Sequence, residues 1–454
     1  MLNPKSFKAY DIRGIYPKDI DEDGAFLVGQ AAVRFTKSKA LVVGKDMRSS
    51  TPSLFDAFAR GAMSQGADVI DIGMVTTPMF YFGVGDYELH DAGVMVTASH
   101  NPKEYNGFKL CFGDVLPIGA DSGIFDVRDL ALKGPYPAEA EGIVVETDIR
   151  EAYLDKLLAQ IDVGRLRKLE VAVDCGNGME GVIIRDIFSR LPSCEMRGLY
   201  LEPDGTFPNH EANPIKEETL YDLKVEMKRL GADIGIAFDG DGDRVGVVDE
   251  LGRTVRGDII TALLAPRLLR RAPGAAVLHP VNMSWTVQEE VTKAGGRPVM
   301  CRVGHGLIKP QMRREGAVFA GELSNHFYFR DFYGAESSDL VLLMLLDILS
   351  ETGRSLSELV DPLMRYSHSG EINYEVEDKG AALTRLKERY GRSASLISEI
   401  DGIRMEFRDA SLPRRDWWFN VRASNTEPLL RLNLEAKSRE VMEEKKGEIE
   451  KLLL

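Results

Sequence analysis

The chain has 454 residues, with 57 basic and 71 acidic side chains, a formal charge of −14 and a sequence pI near 5.2. The acidic excess speaks against a nucleic-acid binder that neutralises phosphates over a broad surface, though not against a small basic cleft. With 44% hydrophobic and 28% charged residues the composition is ordinary for a globular protein, and the length exceeds the roughly 250–300 residues at which single cores stop growing, so three or four domains are expected.

The opening MLNPKSFKAYDIRG has no apolar run of the kind a secretory leader carries. From Leu41, LVVGKDMRSSTPSLFDAFARGAMSQGADVIDIG reads as strand, polar turn, amphipathic helix and second strand. The apolar run AGVMV then empties into TASHNPKEYNGFKL, Thr97 to Leu110. A hydroxyl presented there sits at the carboxyl end of a sheet, where α/β proteins bind ligands, which makes Ser99 the candidate nucleophile. His100 adjoins it, but side chains of neighbouring residues diverge in an extended segment, so a Ser–His dyad is not expected. The hydrolase signature GxSxG is absent as well. Taken as a plain loop residue, Ser99 would be a turn or cap serine.

Beyond a Pro/Gly/Glu-rich passage, EAYLDKLLAQI aligns Tyr153, Leu154, Leu157, Leu158 and Ile161 on one helical stripe and opens a second domain. The strand–turn–helix pattern returns at Val171 in VAVDCGNGMEGVIIRDIFSRL. DGDGDR, Asp239 to Arg244, follows between the apolar runs ADIGIAF and VGVVDE. Carboxylates at every second position point the same way in an extended segment, and like charges this close call for a hard divalent cation. An EF-hand would take Asp239, Asp241, Asp243 and Glu250, but it requires Gly where Arg244 stands, and strands rather than helices flank the loop. Arg244 beside a metal makes sense if an additional anion, such as phosphate, completes the site.

A third repeat starts at Ala275 with AAVLHPVNMSWTVQEEVTKAGGRPVMCRVGH. The repeats lie more than a hundred residues apart, well beyond the roughly 20–50 of solenoids, so each anchors its own α/β domain. GELSNH, Gly321 to His326, sets a carboxylate and a hydroxyl two residues apart, a spacing suited to adjacent sugar hydroxyls or to a simple strand-end turn. The longest strongly apolar run, Leu340 to Leu346, stops at Asp347, far short of the roughly 20 residues of a membrane helix. Cys111, Cys175, Cys194 and Cys301 have no CxxC spacing and read as four reduced thiols in a cytoplasmic protein. After Met364 the texture changes: INYEVED, IRMEFRD and WWFNVRAS read as strands, AALTRLKERYG and the Lys/Glu-rich tail as helices, together a smaller α+β domain. There NVRASNTEP groups Arg422, Ser424, Asn425 and Thr426, donors suited to phosphate oxygens or to a capped helix start.

In this order, TASHNP, DGDGDR, GELSNH and RASNTEP resemble the four signature loops of the α-D-phosphohexomutase family, in particular its phosphomannomutase/phosphoglucomutase branch, and the likeness begins at FKAYDIRG, Phe7 to Gly14. The resemblance implies three tandem related α/β domains with mixed sheets and a C-terminal α+β domain resembling the TATA-box-binding-protein fold, around a central cleft. The corresponding ranges are 1–145, 146–252, 253–365 and 366–454. It implies an isomerase of carbohydrate metabolism that interconverts hexose 1-phosphate and hexose 6-phosphate, of mannose or glucose, through phosphorylated Ser99 and a 1,6-bisphosphate, with a fourth domain that closes during transfer. By the same likeness Asp239, Asp241 and Asp243 hold one Mg²⁺ together with an oxygen on Ser99, and a hexose 1,6-bisphosphate is the activator. Arg13, Lys109, Arg244 and His305 resemble the groups around the transferring phosphoryl; Tyr10, Glu322, Ser324 and His326 resemble the sugar contacts; Arg422, Ser424, Asn425 and Thr426 resemble the site of the other phosphate.

Asn282 in PVNMSW stands where many members have lysine, and Gly306 in VGHGLIK replaces a common serine. That leaves His305 and Lys109 as acid–base groups, and a histidine, with an ordinary pKa of about 6.5, suits the task. Leu323 favours neutral sugars over the glucosamine branch, whose residue there is typically polar; phosphoglucosamine mutation and a non-catalytic sugar-phosphate binder are the competing readings. Hexose phosphates are the expected partners of a monomer or homodimer, with neither nucleic acid nor membrane.

Overall fold

The computed structural model describes residues 2–86, 90–139, 141–423 and 429–454. By compactness the chain forms two units, Met1–Arg256 with Ser324–Ser357, and Gly257–Leu323 with Glu358–Leu454.

The first unit begins with β1 (Ile12–Ile15), α1 (Glu22–Thr36), β2 (Ala40–Lys45), α2 (Thr51–Met63), β3 (Asp68–Met74), α3 (Thr77–Gly85), β4 (Ala92–Val96), β5 (Tyr105–Phe112), α4 (Ile124–Lys133) and β6 (Val144–Glu146). They make a six-stranded sheet in the order β1-β5-β4-β2-β3-β6. Strand β2 runs parallel to β3 and β4, whereas β5 is antiparallel to β4 and β1. All of β4 is buried, which explains why AGVMV is a continuous apolar run rather than an alternating one. Helix α1 starts where the Asp21 carboxylate accepts from Gly24 N, and α3 where Thr76 Oγ1 accepts from Met79 N. The core on one face gathers Val28, Leu54, Phe58, Val94 and Phe108, with the Phe58 and Phe108 rings stacked at 5.4 Å. Burial of each such phenylalanine contributes roughly 1.5–3 kcal/mol.

The unit continues with α5 (Arg150–Leu158), β7 (Leu169–Asp174), α6 (Ile184–Ser189), β8 (Cys194–Leu199), α7 (Tyr221–Leu230), β9 (Ile234–Phe238), β10 (Val245–Asp249) and β11 (Thr254–Val255). The second sheet is ordered β11-β10-β9-β7-β8, with β7 parallel to β8 and β9, and β10 antiparallel to β9. Its repeat carries a shorter helix than expected: a 3-10 turn over Met179–Val182 precedes the six residues of α6. Three glycines within CGNGMEG disfavour an earlier helix start. A helix over Ser338–Thr352 also belongs to this unit and is buried continuously from Ser338 to Leu349, which accounts for its all-round apolar sequence. Among the described residues no helix is long and apolar enough to cross a membrane.

In the second unit, the strand Ala276–Pro280 runs parallel to Arg297–Cys301 and to Phe319–Gly321, with helices at Gly257–Arg271, Trp285–Lys293 and His305–Glu315. An antiparallel five-stranded sheet follows, in the order Ser367–Glu375, Leu429–Ala436, Trp417–Ala423, Ile403–Phe407, Leu396–Ser398, with helices Lys379–Tyr390 and Arg439–Leu453. The strand LLRLNLEA is built from residues that favour helices, and pairing on both sides holds it extended. Trp285 N and Trp418 Nε1 both donate to Glu435 Oε1, at 3.0 and 2.8 Å, tying the helix that begins at Trp285 to the antiparallel sheet. All four cysteines are buried thiols.

Candidate active site

The loop between β9 and β10 carries DGDGDR. Asp239, Asp241 and Asp243 are all but fully buried and bring carboxylate oxygens within 4.8 Å of one another. The reason differs from the expected strand alternation: the segment is a turn, with Asp243 N and Arg244 N both donating to Asp239 Oδ1 at 3.1 Å, and Gly242 at φ +75. Lys109, on β5, donates from Nζ to Asp241 Oδ2 and Asp243 Oδ2, each at 2.6 Å. Burial opposes its charge, but the two carboxylates override that and raise the ammonium pKa. Burial also raises Asp239 well above the carboxylate range, with Asp243 and Asp241 adding to it; in Asp243 the Lys109 ammonium overcomes burial and the pKa falls.

The donor set fits a hard divalent cation. Asp241 Oδ2 is taken by Lys109 and by Thr77 Oγ1 at 2.7 Å, whereas buried Asp241 Oδ1 accepts no hydrogen bond. An orphaned oxygen of this kind is what a metal ligand leaves when described without its ion.

Ser99 follows β4 and has φ +53, the left-handed region. Its N–H donates to Thr97 Oγ1 at 2.9 Å, and its Oγ lies 3.2 Å from Asp239 Oδ2. The backbone of Gly240 closes over it: a Cβ there would stand 2.4 Å from Ser99 O. His100 corrects the expectation of divergence, since its Nδ1 is 3.1 Å from Ser99 Oγ. Neighbouring side chains converge because Ser99 is not extended. Burial first, then Arg244 and Arg13, hold the His100 imidazole well below its ordinary pKa, so it is neutral.

Arg13, on β1, donates from Nη1 to Asn101 Oδ1 at 2.6 Å and pairs with Asp11. Tyr10 is half-buried in the bend before β1. Arg244 Nε is 3.8 Å from Asp239 Oδ2 and 3.1 Å from His326 Nε2. His326 Nε2 is also 3.4 Å from Asp243 Oδ1, and its Nδ1 is 3.0 Å from Ser324 Oγ. The first unit thus brings together Ser99, the three aspartates, Lys109, Arg13, Arg244, Ser324 and His326.

The second unit holds the others. His305 begins the helix His305–Glu315, and the preceding Gly304 N donates to Glu322 Oε1 at 2.9 Å. Buried Arg422 donates from Nη2 to Glu371 Oε2 at 3.1 Å, and Arg431 from Nη1 to Glu371 Oε1 at 2.8 Å. Asn282 is buried, and its Oδ1 accepts no hydrogen bond. Ser424, Asn425 and Thr426 lie outside the described residues. The sequence reading missed Thr77, which meets Asp241 twice, its N–H donating to Asp241 O at 2.8 Å. The TTP of a Pro-led helix start after a strand was the available signal. Asn101 and Asp11, the partners of Arg13, were missed too.

Four family models of phosphoglucomutase/phosphomannomutase match the chain: alpha/beta/alpha domain I over residues 4–127, domain II over 151–252, domain III over 256–366 and the C-terminal domain over 371–452. A phosphomannomutase of Salmonella montevideo is 40% identical over 100% of both chains, and one of Escherichia coli strain K12 is 39% identical over 95% of this chain and 94% of its own. The crystal structure of a phosphoglucomutase/phosphomannomutase family protein from Burkholderia thailandensis is similar at a TM-score of 0.90 and 33% identity, covering 100% of this chain and 98% of that one. The chain belongs to the phosphoglucomutase/phosphomannomutase family. It is a phosphohexomutase, an isomerase that works as an intramolecular phosphotransferase.

Proposed function

We propose that the chain interconverts the 1- and 6-phosphates of mannose and glucose, with Ser99 carrying the phosphoryl group. The observation behind this is the Ser99 hydroxyl, set in strained backbone against the buried carboxylate cluster, 3.2 Å from Asp239 Oδ2. Phosphorylated Ser99 gives its phosphoryl to the free hydroxyl of a hexose phosphate, forming a 1,6-bisphosphate. After reorientation the other phosphate returns to Ser99 and the isomeric monophosphate leaves, so a hexose 1,6-bisphosphate primes the resting enzyme.

Phosphoryl transfer is catalysed mostly by positioning and charge. Asp239, Asp241 and Asp243, with an oxygen on phosphorylated Ser99, would hold a Mg²⁺, which supplies positive charge to the phosphoryl oxygens. Arg244, fixed by His326, and Arg13, fixed by Asn101, are the protein's own cations for those oxygens. Lys109, shared by two carboxylates, is a fixed charge rather than a proton shuttle, which leaves His305 to take the proton from the attacking hydroxyl. Glu322, Ser324 and His326 serve the sugar, and Arg422 with Ser424, Asn425 and Thr426 the distal phosphate.

Intact mass spectrometry after incubation with glucose 1,6-bisphosphate tests the reading. One added phosphoryl group is expected on the native chain and none on Ser99→Ala, which also loses turnover; full activity in Ser99→Ala would sink it. Mannose, glucose and glucosamine 1-phosphates compared in the same assay should rank the first two above the third, as Leu323 suggests.

A further inference from the structure

Arg48 lies in the turn between β2 and α2, outside every group assigned above, and is only 1% exposed. Its Nη2 donates to Ser99 O at 2.7 Å and Asn101 O at 2.6 Å, and its Nη1 to Pro102 O at 2.7 Å and Tyr105 O at 3.0 Å. Its Nε is 3.2 Å from Asp46 Oδ2, while Asp46 Oδ1 accepts from Arg48 N at 3.0 Å and Thr51 Oγ1 at 2.6 Å. The ring of Phe207 lies 5.3 Å from the guanidinium.

Every Nη contact thus goes to a carbonyl of the loop that holds Ser99 or of Tyr105, the first residue of β5. Carbonyl dipoles aimed at a common point repel and would turn out to water unless a cation sat there. Ser99 occupies a left-handed conformation that is unfavourable for a non-glycine residue and persists only where the surroundings fix it. Arg48 grips its carbonyl, Gly240 packs closely against that same carbonyl, and the hydroxyl lies 3.2 Å from Asp239 Oδ2. The same guanidinium nitrogen holds the carbonyl of Asn101, whose side chain anchors Arg13.

We infer that Arg48 is a positioning residue for phosphoryl transfer, which sets Ser99 Oγ and, through Asn101, Arg13. The inference rests on Ser99 being the phosphoryl carrier. It makes a demand a lysine cannot meet, because one ammonium with three donors lacks the planar fork that reaches four carbonyls.

The test uses the full-length chain as Arg48→Lys and as Asp46→Asn, which removes the ion pair but leaves the four carbonyl contacts. Thermal midpoint, kcat, KM for mannose 1-phosphate and the single-turnover rate of Ser99 phosphorylation by glucose 1,6-bisphosphate are measured for each. Arg48→Lys should lose about 100-fold in kcat and in phosphorylation rate per folded molecule, a loss typical of a displacement of about 1 Å at a reacting group, with KM within about threefold. Asp46→Asn should keep kcat at least about tenfold above Arg48→Lys. A folded Arg48→Lys with native rates overturns the role. If Arg48→Lys does not fold, an Asp46→Asn protein that folds yet loses about 100-fold in kcat overturns it as well, since the ion pair rather than the carbonyl grip would then set the rate. A native chain that takes up no phosphoryl on Ser99 sinks the carrier reading instead, whatever Arg48 does.

Discussion

Asp241 divides its oxygens between two tasks: Oδ2 is bound by Thr77 and Lys109, and Oδ1 is left bare inside the protein. Burial and the neighbouring carboxylates favour the protonated form of Asp239, and a bound cation favours the ionised one, so the two compete. Since the Asp239 pKa is raised in the folded protein, metal affinity should climb as pH rises toward that value and level off above it. Titration calorimetry with Mg²⁺ at mildly acidic pH, in two buffers of different ionisation enthalpy, should give different apparent heats; equal heats would contradict proton release. The three clustered carboxylates were legible in DGDGDR as candidates to hold a cation, because acids this close repel unless something neutralises them. Their geometry was not, and neither was the contact of His100 with Ser99, because a positive φ at a serine leaves no mark in the sequence.

Among elements, the segment after β8 shows how a loop is tethered by a titrating group. His210 Nε2 is 3.0 Å from Asp174 Oδ2 at the end of β7, and its ring lies edge-on to Tyr200 at 5.3 Å. Burial draws the His210 pKa down, but the hydrogen bond and charge of Asp174 more than offset it, so the folded value is raised. The stabilisation is then fully present below the unfolded value of about 6.5 and is lost as pH rises through the folded value. Urea unfolding of native and His210→Gln proteins between about pH 6 and 8 should show their stability difference shrinking with increasing pH; a constant difference would exclude the coupling. Elements were readable wherever polar turns interrupt apolar runs, as at Lys45 to Ser50 in the first repeat and at Asp239 to Arg244 after the second. LLRLNLEA escaped, because pairing with two neighbours, and not its own propensity, makes it a strand.

For the whole molecule, the family models follow one another along the chain, yet the compact units interleave: the chain leaves the first unit after Arg256 and returns to it for Ser324–Ser357. Tyr153 donates to Asp339 and Ser338 Oγ to Gly242 O, so both bonds join the returning segment to the first stretch of the unit. A fragment of residues 1–256 would leave Tyr153 and the Asp239–Arg244 loop without these partners and expose the surface that covers the apolar helix. It should melt without cooperativity, whereas the same fragment joined by a linker to residues 324–357 should regain a sharp transition; cooperative melting of residues 1–256 alone would refute this. Such interleaving could not be read from the sequence, where the third repeat looks continuous from Ala275 onward.

The four buried thiols offer an internal clock for this architecture. Cys111, Cys175 and Cys194 belong to one unit and Cys301 to the other, and each is shielded in the native fold. A maleimide reaches a shielded thiol only when its surroundings open. Labelling kinetics mapped by peptide mass would therefore time the opening of each unit separately in the unmodified chain, with Cys301 reporting for one and the other three for its counterpart.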